Sequence, residues 1–161
     1  MNQDLLRKLG SAWLIFGLLS CVLALCLPWI GWYALGNIAV VCAAAYVLHL
    51  AGERRKRIDQ NKDLTRKMNA AQRRKLADMD QQEGKNLLVL GNRLIPFLCI
   101  FCAVINIYTF IWSMSGHPQA PVFSGLENAG MPVYWLMLSL NLLFLGLFWF
   151  AFRIRFQDLM D

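Results

Sequence analysis

No Asp, Glu, Lys or Arg occurs between positions 8 and 53, and none occurs in 94–114 or 132–152. Ionisable groups at membrane depth mark proton relays, ion paths and voltage sensors. Their absence argues against an ion-coupled transporter, a voltage sensor and an intramembrane acid–base enzyme. Histidine is scarce too. His49 and His117 fall at opposite ends of the expected spans. They are not expected to share a metal or to ligate a haem from both sides. There is no Gly-rich phosphate loop, internal repeat or low-complexity tract. No cofactor, metal or catalytic residue is therefore expected, and the chain reads as non-enzymatic.

The five cysteines, Cys21, Cys26, Cys42, Cys99 and Cys102, all lie inside apolar runs. They read as small buried hydrophobes rather than as a disulfide framework. Cys99-x-x-Cys102 matches a redox spacing, but within an apolar helix and with no neighbouring base. Quinone-linked thiol oxidases need cysteine pairs at the outer surface, and this sequence offers none there.

What is present is apolar. Of 161 residues, 58% are hydrophobic and 16% charged, against about 45–50% and 25% in soluble domains. The length fits one domain, 1–161. A membrane-crossing helix needs about 20 residues, so the uncharged run before position 53 holds two helices. They are divided at Leu27-Pro28-Trp29-Ile30-Gly31-Trp32. The expected fold is an all-α membrane protein with four transmembrane helices, at about 12–27, 33–51, 94–114 and 132–152. Pro96 is placed in the first turn of the third, where a missing amide matters least. Leu18-Leu19-Ser20-Cys21 looks like a lipoprotein cleavage site, but another apolar run follows instead of a polar mature segment.

Orientation follows from Lys and Arg, which stay on the cytoplasmic side. All 16 of them flank one side of such a topology. Arg7 and Lys8 precede the first span. Arg153 and Arg155 follow the fourth, and the rest lie between the second and third. The outer connections, 28–32 and 115–130, have none. Both termini are thus expected inside, in a bacterial cytoplasmic membrane. The net charge of +6 is concentrated beside the bilayer, which points to anionic lipid headgroups rather than nucleic acid. Trp29, Trp32, Trp112 and Trp135 mark the outer boundary, and Trp13 and Trp149 the inner one.

The polar segment 53–85 has no proline and one glycine, Gly84. On a helical wheel Ile58, Leu64, Met68, Ala71, Leu76 and Met79 gather opposite most of its cations, predicting an amphipathic cytoplasmic helix. Leu64, Met68, Leu76 and Met79 are its candidate docking face; Arg66, Arg73 and Arg74 are candidate headgroup contacts. At depth, Asn106 and Asn141 sit level, and a buried amide seeks a partner across helices. They are expected to form an interhelical polar contact. The small residues Gly36, Ala39, Cys42, Ala43, Ala44 and Ala45 predict a central second span. The bulky fourth span is expected to face lipid or another subunit. The function expected is a subunit or adaptor of a membrane protein assembly, docking through 53–85 and through helix contacts in the bilayer. A small oligomeric pore or passive carrier is the alternative, and an immunity- or exclusion-type protein a weaker one.

Overall fold

The computed structural model describes residues 3–27, 29, 30, 33–65, 68–115 and 130–161. These form helices and short turns, with no strand among the described residues. The order is α1 (Gln3–Ser11), α2 (Trp13–Cys26), α3 (Ala34–Thr65), α4 (Ala70–Val89), a π-helical turn (Leu90–Leu94), α5 (Ile95–Met114) and α6 (Met131–Met160). Three helical stretches are long and apolar enough to cross a membrane: Ala34–Asn61, Ala70–Met114 and Met131–Met160. The fourth apolar helix, α2, has only 14 residues, about 21 Å at 1.5 Å per residue. It follows α1 almost without a break. Ala12 keeps right-handed helical angles, and its amide reaches the carbonyls of Lys8 and Leu9.

The polar segment is not one amphipathic helix. α3 runs on past its apolar part to Thr65, and the chain then reverses. Asn69 is extended (φ −68°, ψ 155°), and its amide donates to Gln72 Oε1 at 3.2 Å, which starts α4 by a capping contact. The result is an antiparallel helical hairpin continuous with α3 and α5. Its inner seam is polar. Arg54 Nη2 donates to the Asp80 carbonyl at 3.3 Å, and Arg57 pairs with Glu83. The predicted apolar stripe is therefore divided between two rods. Ile58 and Leu76 are half-buried, one on each arm, whereas Met79 stays 62% exposed.

Pro96 is in the first turn of α5, as expected, but α5 continues without a break from the turn before it, in a helical stretch of 45 residues, Ala70–Met114. A proline there lacks an amide and clashes with the carbonyl four residues earlier. Widening the preceding turn to π geometry relieves that conflict, and the π turn ends at Leu94, two residues before Pro96.

The centre of the bundle is α6, a correction to the expectation that α3 would be central and α6 peripheral. α6 packs along α2 most extensively and also against α1, α3 and α5. Its inward face stacks Phe148, Phe152 and Phe156, all three fully buried. Their bulk is received by small residues on the neighbours. A Cβ on Gly17 of α2 would lie 2.7 Å from the Phe148 ring and 2.8 Å from Val41. Gly91, in the π turn, lies directly under the Phe156 ring. Two apolar clusters result. One, around these phenylalanines, includes Val40, Ala44, Ile95, Cys99 and Cys102. The other, at the opposite end, joins Leu27, Trp29, Ile30, Phe110, Tyr134 and Leu138. Trp29, expected at an interface, is buried there, edge-on to Phe110 and Tyr134.

Candidate functional site

Between the two apolar clusters lies a polar node made by one residue from each of α2, α3, α5 and α6. Ser20, Asn37, Asn106 and Asn141 are all at most 1% exposed. Asn141 is the hub. Its Oδ1 accepts from Ser20 Oγ at 3.2 Å, from Asn37 Nδ2 at 3.4 Å and from Asn106 Nδ2 at 3.4 Å. Its Nδ2 donates to the Ser20 carbonyl at 3.1 Å. Asn37 Nδ2 also donates to Ser20 Oγ at 3.0 Å, closing the ring. The Oδ1 atoms of Asn37 and Asn106 are buried without a hydrogen-bond partner.

Sequence reasoning named Asn106 and Asn141, which the structure brings together, and overlooked Ser20 and Asn37. The signal was available: Asn37 is a third amide in an uncharged run. Its place one turn from the start of α3 disguised its depth. The node contains neither acid nor base. Its groups can clasp four helices and offer two further carbonyl acceptors; they hold no nucleophile stronger than a serine hydroxyl. Thr109, the next polar residue on α5, satisfies itself on the carbonyls of Ile105 and Asn106.

Cys99 and Cys102 pack in the aromatic cluster. They are free thiols, as are Cys21, Cys26 and Cys42. Among the described residues no three His, Cys, Asp or Glu side chains stand close enough to hold a metal ion. The small face of α3 seats α5 closely only at Gly36, where an added Cβ would lie 3.2 Å from Cys102 Sγ. Gly36, Ala39 and Ala43 line an apolar groove of about 450 Å³ against Leu98, Phe101 and Ile105 of α5.

At the end of the bundle from which the hairpin projects, cations from three helices converge on Asp158 of α6. Arg155 Nη1 lies 3.0 Å from its carboxylate and Arg7 Nε 3.9 Å. Arg55 donates to the Asp158 carbonyl. This acid does not stand out in the sequence, because its partners are distant in the chain.

The predicted docking residues are dispersed. Met68 lies at the hairpin turn, half-buried; Leu76 turns toward the seam; Met79 is outside. Arg73 and Arg74 are exposed on α4, and Arg73 Nε donates to the Met68 carbonyl at 3.0 Å. Arg66 and the side chain of Leu64 lie outside the described residues, as does the predicted outer loop over 116–129, His117 included. No family model matches this chain, and neither a curated protein nor a solved structure does.

Proposed function

We propose that the chain is a four-span protein of a bacterial cytoplasmic membrane, with both termini and the hairpin inside. We further propose that it serves as a non-enzymatic subunit or adaptor of a membrane protein assembly. The hairpin carries this reading. Two spanning helices continue out of the bundle as a paired rod, and the outward face of α4 from Ala70 to Met79 is exposed apart from Leu76. A rod that spends its own seam on Arg54–Asp80 and Arg57–Glu83 contacts leaves Met79 on its outside, 62% exposed. α2 becomes the fourth span if the apolar turn 9–11 is counted with it. That brings its length to about 27 Å, close to the hydrocarbon thickness of about 30 Å. The groove between α3 and α5 supports a contact within the bilayer with a partner helix.

The orientation is tested by cysteine placed singly in a background free of native cysteines. At Gln119 it reacts with an impermeant maleimide on intact cells, and at Gln72 only after lysis. The reverse labelling pattern would overturn the topology.

The docking reading is tested by replacing Leu64, Met68 and Met79 together with Ser. Insertion and melting temperature stay as in the wild type, while a stoichiometric partner that copurifies in mild detergent is lost. If the triple variant retains that partner in full, the hairpin is a solvated connection. Should the wild type purify only as an oligomer of itself, the pore or passive carrier becomes the better reading.

A further inference from the structure

A second surface of the bundle is equipped for a ligand of different chemistry. Where α6 passes the π turn, Trp149, Arg153 and Gln157 succeed one another at intervals of four and share one face. Opposite them stand Gly91, Asn92 and Pro96, and the two faces enclose a cavity of about 310 Å³. The π turn shapes this wall. Pro96 supplies no amide to the Asn92 carbonyl, and Gly91 lets the Phe156 ring close the back.

The electrostatics separate this cavity from the rest of that end of the bundle. Arg7, Arg55 and Arg155 are all engaged on Asp158. Arg57 is paired with Glu83, and Lys56 with Glu53. Among the described residues, Arg153 makes no ion pair, and the side-chain amides of Asn92 and Gln157 make no hydrogen bond. No carboxylate lines the cavity. It therefore presents a guanidinium and two amides to one volume, with no carboxylate to balance the charge of a ligand's ammonium group. Its depth is also specific. On α6 the long apolar segment ends at Phe152, and Trp149 stands at the level where indoles favour the headgroup layer.

We propose that this cavity binds the headgroup of an anionic phospholipid. The phosphate pairs with the Arg153 guanidinium, which matches phosphate oxygens in bidentate geometry. Headgroup hydroxyls take the amides of Asn92 and Gln157. The acyl chains follow the crevice between α5 and α6 past Trp149 and Pro96. The inference rests on the membrane reading above, of which the orientation decides only the leaflet, since the pairing of headgroup and cavity is independent of which side faces in. It is also independent of the hairpin's partner.

The test uses the full chain purified in detergent and titrated with phosphatidylglycerol, with bound lipid counted by native mass spectrometry. Arg153→Gln should bind about tenfold more weakly, the loss expected for one charge-assisted contact. Arg153→Lys should fall between the two, and Arg74→Gln on the hairpin should match the wild type. Phosphatidylcholine carries the same phosphate but a fixed cation and no headgroup hydroxyl, so it should bind the wild type more weakly than phosphatidylglycerol, and equal binding of the two lipids overturns the headgroup assignment. Asn92→Leu with Gln157→Leu leaves the charge in place and should also weaken phosphatidylglycerol, which keeps the test decisive if Arg153→Gln does not fold. Equal binding by wild type and Arg153→Gln overturns the proposal. So does a loss confined to Arg74→Gln, or full competition by inorganic phosphate, which would make the site one for a free anion. Maleimide labelling and partner retention in the same variants report on the topology and the adaptor reading separately.

Discussion

Asn141→Leu is expected to destabilise the bundle by about 2–3 kcal/mol, while Asn106→Leu costs under about 1 kcal/mol. The asymmetry comes from the shape of the node. Asn141 Oδ1 accepts from three side chains on three other helices. Removing it strands an Asn106 amide and weakens the contacts of Ser20 and Asn37 in one step. Removing Asn106 strands nothing comparable, because Asn141 keeps Ser20 and Asn37 and the unpartnered Asn106 Oδ1 disappears with the side chain. Individual hydrogen bonds between membrane helices average roughly 0.6 kcal/mol, so the difference reflects the number of groups stranded. Unfolding in mixed micelles measures both variants, and the double variant should cost less than the sum. Equal losses from the two single changes would mean that Asn141 is not the hub. Strict additivity would mean that the two amides do not touch.

Gly17→Val is expected to exceed even that loss, at about 3 kcal/mol or more, because overpacking forces backbone or rotamer shifts. A Cβ at this position already lies inside contact distance of both Phe148 and Val41, and valine adds two methyl groups. Neither neighbour can retreat, since Phe148 is fully buried and Val41 nearly so. The control is built into α6 itself. A Cβ added at Gly146 would meet no neighbouring atom within 4 Å, so Gly146→Ala should gain several tenths of a kcal/mol from helix propensity, up to about 1. Thermal melts of the two variants in the same detergent decide the matter. A tolerated Gly17→Val would show that α2 and α6 do not approach as described.

The helical class and the apolar helices were legible because they rest on a simple code: long uncharged runs, broken where proline and glycine fall. Packing order was not. The bulk of α6 suggested a lipid-facing surface, yet Phe148 and Phe156 are buried because the space for them is provided by Gly17 and Gly91 on other helices. Complementarity of that kind lies in pairs of positions far apart in the chain. The stripe on 53–85 misled for a related reason. A helical wheel presumes one axis, and the reversal near Asn69 creates two. Asn106 and Asn141 were legible as amides deep within apolar runs. Ser20 was read only within a cleavage-like motif, and Asn37 was passed over near a helix end, so half of the node went unseen.

The stretch Ala70–Met114 has a mechanical consequence. Its 45 residues make a rod about 68 Å long, rooted at one end among the buried aromatics and paired toward the other with α3. The single departure from α geometry among its described residues is the turn Leu90–Leu94. The compliance of the rod is therefore concentrated at one point, about 33 Å from the tip, and that point is braced by the Phe156 ring against Gly91. A rotation of about 5° there sweeps the tip through about 3 Å. Load taken up by the hairpin reaches the bundle along the unbroken α3 and, through this turn, as torque on α6, the helix against which α1, α2, α3 and α5 all pack.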